Sequence, residues 1–532
     1  MEGTRIQVLR DIEAWVKDIK GHQIFWVAGM AGTGKSAVAW TICSRTGADP
    51  EILLGGSFFC SRSAGSSAQG DVRCIIPTLV QLLARQSAAF AAALLTELVL
   101  DPDVLHQQVG VQVERLLSKP LLALKGSLVP ILFVIDALDE CGGQLTGNET
   151  LGDSETHRIV SDMLEALVTL SRYVDNVPIK FLVTSRPETH IRETRVSDAT
   201  FTKVLRLHTV DRQQVTSDIQ LYISNRLLRT PTLRALFTQD DVNTLLRFCD
   251  GLFIVAATAL EYALGSGSDV AVARFMSLLN YSHDRLSTGA VAPLDQMYAV
   301  ILEHATKDDD VAIDKLQNLL QLLAALLSAR MTLSVEALAD LLDRPSGQMR
   351  ASMSRLHAVL HVPDEDSTVG LRLLHASFGD YLLRRAPSRI SISASLGTDI
   401  LAHGCLNVMA KRLHFNISES RTSFDGNGSA RSSSITLSLE YACLHWAYHI
   451  AGLSEPQNPD PTPRSLVNSW FLSWAYRLNH ESPQSKLEEK ISDLFRPRLM
   501  YWLEVMSVLG QVQRAAAMLT FAATTVRLNP GA

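Results

Sequence analysis

Along the first two hundred positions, apolar residues gather in short near-continuous runs separated by stretches with helical spacing. The runs are residues 23–28 (QIFWVA), 56–60 (GSFFC), 131–135 (ILFVI), 180–184 (KFLVT) and 204–207 (VLRL). Their β-branched and aromatic content without alternation predicts strands covered on both faces, and strands alternating with helices predict an α/β domain with a parallel sheet. Two polar, glycine- and serine-rich stretches, 61–71 and 142–156, are expected as surface loops.

From about residue 210 the strand signal fades. Runs such as 316–327 (LQNLLQLLAALL) and 335–342 (VEALADLL) place apolar residues three and four apart, the spacing of core-facing helices. Residues 330–333 form a short extended candidate, 348–359 resemble a recognition helix, and two strand candidates lie around Val362 and Leu371. That order, over about 295–385, predicts a winged helix. The remainder is helical, broken by a serine-rich stretch at 418–434 and a proline-rich one at 455–463, both expected as linkers. Four parts are expected: 1–208, with a core at about 23–190; a helical domain, 209–290; the winged helix, 291–390; and a helical C-terminal region, 391–532.

Composition narrows the partners. With 532 residues, 47% hydrophobic and 20% charged, the chain has the balance of a globular protein. Its formal net charge of −6 lacks the basic excess on which sequence-blind nucleic-acid binding depends, so nucleic acid is not the expected partner. Seven cysteines without a CxxC pair match neither a disulfide framework nor a zinc site. The first fifteen residues lack the apolar core of a signal peptide, residues 79–100 contain Arg85 and Glu97, and 251–264 are too short to span a bilayer. No membrane partner and a cytoplasmic location are expected.

The strongest chemical signal is Gly29-Met30-Ala31-Gly32-Thr33-Gly34-Lys35-Ser36, the eight-residue phosphate-binding loop, with a strand before it and a helix from Ala37 after it. Glycines let backbone amides wrap an anion, Lys35 supplies charge near the terminal phosphates, and the Ser36 hydroxyl suits Mg²⁺. The expected fold is therefore a three-layer α/β P-loop NTPase that binds ATP or ADP with Mg²⁺. Residues Gly29 to Ala37 form its nucleotide cradle.

A hundred residues on, 131–140 (ILFVIDALDE) is an apolar strand ending in acids. Asp136, at the strand's carboxyl end, is placed for the Mg²⁺ shell, while Asp139 and Glu140 are candidates to polarise the attacking water. Residues 181–188 (FLVTSRPE) bring Thr184, Ser185 and Arg186 to the same rim. Arg186 either meets a γ-phosphate or pairs with Asp136 or Glu140.

These motifs, with Gly3-Thr4-Arg5, Ile12 and Trp15 ahead of the loop, GSFFCSR, Ile76-Pro77-Thr78-Leu79, TSRPE and GLFIVAATAL at 251–260, give the chain its likeness to known proteins. It resembles the NACHT class of signal-transduction ATPases with numerous domains (STAND), particularly fungal members with a nephrocystin-like N-terminal module. A looser likeness continues at 294–301, 373–382, 441–449 and 500–510. The resemblance implies that His375 contacts the β-phosphate of bound ADP, a core histidine being the alternative; Arg5 and Trp15 either line the adenine side or, as the residues favour, serve structurally in the entry helix. Ala376 and Phe253 stand where related proteins often carry aspartate and proline.

What the resemblance implies is a nucleotide-operated switch of the NOD-like receptor type, associated with innate immunity. ADP holds it closed, ATP opens it for self-association, and slow hydrolysis resets it. The resemblance also implies effector and sensor modules outside 1–532, so the chain is expected to be a stand-alone core, a piece of a longer chain, or a part that works with partners in trans. A DNA-associated ATPase using the winged helix, with Arg350, Arg355 and His357, and an inactive scaffold are the alternatives.

Overall fold

The computed structural model describes residues 3–61, 68–126, 129–141, 153–173, 177–197, 202–229, 238–264, 274–278, 292–306, 312–363, 370–419, 435–451 and 486–519. Most of the stretches expected as linkers at 418–434 and 455–463, and of the loops at 61–71 and 142–156, fall outside these residues. The chain divides into two compact units, Met1–Gln144 with Thr150–Val300, and Ile301–Ala532 with Leu145–Glu149.

The first unit is built on five parallel strands, β1 (Ile24–Ala28), β2 (Leu53–Phe59), β3 (Ile131–Asp136), β4 (Ile179–Ser185) and β5 (Thr202–Arg206), in the order β2-β3-β4-β1-β5. Every residue of β1, β3 and β4 is buried, which is why their sequences read as unbroken apolar runs. Successive side chains feed two cores. Ile24, Trp26, Phe133 and Phe181 enter one, with the helices α3 (Ile75–Gln86) and α4 (Asp153–Tyr173). Phe25, Val27, Leu132 and Leu182 enter the other, with α1 (Ile6–Lys17) and α2 (Lys35–Thr46). This is the expected three-layer α/β arrangement, and it delivers the carboxyl ends of β1, β3 and β4 to one rim.

All five expected strands are present, with ends shifted by up to three residues. β2 begins at Leu53 rather than Gly56 because its pairing with β3 shifts register between Leu54 and Gly56. At Gly55 in that shift, a Cβ would lie 2.7 Å from Ile131 and 2.8 Å from Phe133, so only glycine passes. α4 starts at Asp153, inside the stretch expected to be loop. Lys180 is wholly buried in β4, where its ammonium donates to the carbonyls of Asp18, Gly21 and His22 at 2.6, 3.2 and 2.8 Å and lies 5.4 Å from the Trp15 ring centre. The strand thus pins the turn between α1 and β1. Beyond the sheet follow α5 (Arg212–Leu228) and α6 (Phe253–Leu264).

The second unit contains α7 (Ala312–Ser328), α8 (Val335–Leu342) and α9 (Ser346–Ser354), then a short antiparallel pair, β6 (Leu360–His361) and β7 (Arg372–Leu373). The helix expected over 348–359 stops at Ser354. Leu356 and Val359 bond back three residues, to Met353 and Leu356, and this tight turning delivers Leu360 to β6. The extended candidate at 330–333 meets the pair through the Leu371 N–H to the Leu333 carbonyl, 2.8 Å. The unit's longer C-terminal helices are α10 (Ala394–Arg412), α11 (Leu437–Ala451) and α12 (Lys486–Val508). Asp340 on α8 accepts from Arg412 at 2.6 Å and Ser438 at 2.7 Å, one carboxylate joining three helices. Trp502 donates its indole N–H to the Cys443 carbonyl at 3.1 Å and packs edge-on to Trp446. Among the described residues no helix is long and apolar enough to cross a membrane.

Candidate functional site

The phosphate-binding loop leaves β1 at Ala28 and enters α2 at Lys35. Its first amide, Gly29 N–H, donates to the Ser185 carbonyl at 3.2 Å, tying the loop to the end of β4. Gly32 (φ +77°) and Gly34 (φ +92°) take left-handed backbone that side chains rarely adopt. At Gly32 the need is doubled, since a Cβ would sit 2.1 Å from Ile254 Cγ2 while the Gly32 carbonyl accepts the Ile254 N–H at 3.3 Å. The loop is therefore clamped between the sheet and the start of α6.

Lys35 is buried and folds back over the loop, donating to the carbonyls of Gly29 at 2.7 Å and Met30 at 3.0 Å. Burial lowers its pKa below the usual lysine value; Asp139, Asp136 and Glu140 oppose that shift and Arg186 adds to it. The ammonium thus lies in a field set by the acids after β3 and the arginine after β4.

Asp136, the last residue of β3, is buried, and Thr184 on β4 donates its hydroxyl to Asp136 Oδ1 at 2.5 Å. The same Thr184 oxygen accepts the Ala137 N–H at 3.0 Å. Ser36 lies close enough to the carboxylate to favour its charged form. Burial raises the Asp136 pKa, and the Thr184 hydrogen bond, Ser36 and the Lys35 charge oppose the rise. A hydroxyl beside a carboxylate is a hard-oxygen donor set of the kind Mg²⁺ prefers. Among the described residues no three His, Cys, Asp or Glu side chains converge as a metal cage.

After Asp136 the chain turns sharply. Ala137 sits at φ +54°, uncommon for a residue with a side chain, and its carbonyl accepts the Glu140 N–H at 2.7 Å. The turn separates the two remaining acids. Asp139 is buried and grips Arg186 twice, accepting its backbone N–H at 2.8 Å and its Nε at 3.1 Å. Arg186 therefore pairs with Asp139, a partner not named from sequence, because Asp139 faces the end of β4. Glu140 is half-buried on the same turn.

Ahead of the loop, Arg5 is buried in left-handed backbone (φ 52°). Its amide donates to Asp218 on α5 at 3.1 Å, and its Nη2 donates to the Thr33 carbonyl at 3.0 Å. Its guanidinium lies 5.2 Å from the centre of the Phe253 ring. Trp15 sits in the core, edge-on to Phe25 at 5.1 Å, with its indole N–H on the His22 carbonyl at 2.6 Å. In the second unit, His375 caps the helix Ala376–Asp380: its Nδ1 accepts the Ser377 N–H at 3.1 Å.

The structure thus brings Gly29 to Ala37, Asp136, Asp139, Glu140 and Arg186 to one rim. The bridging role of Thr184 and the tie from Arg5 to Asp218 were not read from sequence. A threonine ending a buried strand beside the acid-bearing strand is the only local signal for the first; nothing local marks the second.

Residues 3–186 match the family model described as nephrocystin 3, N-terminal. No curated protein matches the chain. Among solved structures, a STAND protein with a tetratricopeptide repeat sensor from Pyrococcus horikoshii aligns over 98% of this chain at 10% identity and a TM-score of 0.37. The chain covers 57% of that protein's length. A structure of the Drosophila ORC bound to DNA aligns over 71% of this chain and 86% of its own, at 13% identity and a TM-score of 0.27. The P-loop geometry of residues 29–36 and the acids after β3 both lie within residues 3–186, the part of the chain that is similar to the nephrocystin 3 N-terminal family.

Proposed function

We propose that the chain is an ATP/ADP-operated switch of the NOD-like receptor type, in which slow ATP hydrolysis resets an opening that permits self-association. The observation that carries this reading is the buried Asp136 carboxylate, held by the Thr184 hydroxyl at 2.5 Å at the rim where Lys35 and Ser36 begin α2. In this reading Lys35 exchanges its two carbonyl partners for phosphate oxygens, and Ser36 and Asp136 hold Mg²⁺, directly or through water. The ion would supply charge neutralisation on the β- and γ-phosphates. Glu140 orients the attacking water as general base. Asp139, already committed to Arg186, holds that guanidinium at the rim to meet the terminal phosphate.

The domain reading accompanies it: an NTPase over 1–208, a helical domain over 209–290, a winged helix over 291–390 and a helical region over 391–532. The order of α7, α8, α9, β6 and β7 supports the winged helix. A contact of His375 with the β-phosphate of ADP belongs to the same reading. Arg350 of α9 donates to Glu336 at 2.6 Å and to the Pro363 carbonyl at 2.8 Å, which favours a domain clamp over a groove reader. Cytoplasmic signalling in a fungal innate-immunity setting, with effector and sensor modules as partners, belongs to the same reading. Calorimetric titration with Mg-ADP and Mg-ATP tests it. Binding by the wild type that Lys35→Ala abolishes supports it, and equal affinity in both proteins overturns it.

A further inference from the structure

Cys60 directly follows β2 and Cys141 directly follows Glu140, eighty-one positions apart in the chain. Both are buried free thiols, and their sulfurs lie 3.0 Å apart, with the Cys141 thiol donating to Cys60. The two sides are otherwise joined through the backbone: Cys60 N–H donates to the Asp136 carbonyl at 2.9 Å, while Cys141 N–H closes the acid turn on Leu138 at 3.2 Å. The pair therefore brackets Asp136, Asp139 and Glu140. Two thiols do not make a zinc site, and no third ligand joins them among the described residues.

We infer that Cys60 and Cys141 are a disulfide-forming modification site that cross-links the end of β2 to the acid-bearing turn. A disulfide places its sulfurs about 2.05 Å apart, so closure draws them together by roughly 1 Å. Because Cys141 is covalently next to Glu140, that movement is passed to the carboxylate. The consequence for turnover rests on the ATPase reading above; the cross-link itself does not.

Burial keeps out bulky or charged reagents and leaves a small neutral oxidant such as hydrogen peroxide; because it also pushes the Cys60 thiol well above its ordinary range, thiolate is scarce and the oxidation is slow. One sulfur attacks a peroxide oxygen, the O–O bond breaks, and a sulfenic acid and one water form. The second sulfur displaces the sulfenic oxygen, which leaves as a second water carrying the remaining thiol proton. One S–S bond is made, the thiol pair loses two electrons, and peroxide gains them. Cys74, half-buried at the end of the turn Val72–Cys74 and close enough to Cys141 to feel its charge, is the built-in competitor.

Peroxide titration of the full chain, followed by thiol blocking, non-reducing digestion and peptide mass mapping, tests the inference. The expected result is a dominant Cys60–Cys141 linked peptide, with ATP turnover lowered roughly tenfold to a hundredfold, the scale of a misplacement of about 1 Å at a reacting group. Dithiothreitol restores the rate, and Cys60→Ala and Cys141→Ala each remove the sensitivity. Absence of the linked peptide, dominance of a Cys74–Cys141 link, or a complete link with unchanged turnover overturns it. A reduced protein without turnover counts against the ATPase reading instead; the peptide map and a dithiothreitol-reversible change in melting temperature then decide the cross-link.

Discussion

Thr184 gives its hydroxyl proton to Asp136 at 2.5 Å and takes the Ala137 N–H at 3.0 Å on the same oxygen. One side chain on β4 thereby fixes both the carboxylate at the end of β3 and the strained residue that aims the following turn. Thr184→Val, nearly the same in shape, removes both bonds. A hydrogen bond to a charged group is worth about 1.5–3 kcal/mol, so Mg-dependent ATP affinity should fall at least about tenfold, with a smaller loss without Mg²⁺. The pH dependence gives the sign. The Thr184 bond lowers an Asp136 pKa that burial has raised, so in the variant the carboxyl protonates at higher pH, and Mg-dependent affinity is lost earlier on acidification. Calorimetry from neutral to acid pH checks both.

Arg186 and Asp139 form a second pairing, and their asymmetry of exposure makes it informative. The Asp139 side chain is 4% exposed and that of Arg186 19%. Arg186→Ala leaves a buried carboxylate with one fewer cation and should cost about 2–3 kcal/mol, less than a fully buried pair. Asp139→Asn removes the charge instead and should cost less. Chemical denaturation of both singles and the double, as a cycle, measures the coupling.

Glu140→Gln keeps size and removes the base. ATP and ADP affinities should stay within about threefold, while single-turnover hydrolysis slows by about 10² or more, the usual worth of a general base. An equal slowing in Asp139→Asn with Glu140→Gln unaffected would reassign the base.

His449, fully buried on α11, shares a hydrogen bond between its Nε2 and the Tyr441 hydroxyl at 2.7 Å, and that hydroxyl oxygen accepts the Arg330 N–H at 3.1 Å. Its Nδ1 has no partner. Burial lowers its pKa from 6.5 to about 3. Between those values the unfolded chain binds a proton that the folded chain refuses, so stability is intact above about 6.5 and is lost as the pH falls toward 3. Melting temperature against pH should drop over that window, and the drop should shrink in His449→Gln.

Much of the first unit was legible because burial on both faces writes itself into sequence: QIFWVA and ILFVI have no other reading beside a P-loop. Lys180 shows where legibility ended. Its three carbonyl partners lie about 160 positions away and carry no side-chain signal. The Asp139–Arg186 pairing depended likewise on which acid the turn at Ala137 aims at β4, a matter of one φ angle. In the second unit the apolar spacing of 348–359 looked helical throughout, but burial of Leu356 and Val359 is achieved by tight turns after Ser354.

Sedimentation velocity of the full chain, with Mg-ADP and then with a slowly hydrolysed ATP analogue, tests the switch most directly. The expected result is a single small species with ADP and growth into larger assemblies with the analogue, absent in Lys35→Ala. Identical sedimentation with both nucleotides bound would contradict it.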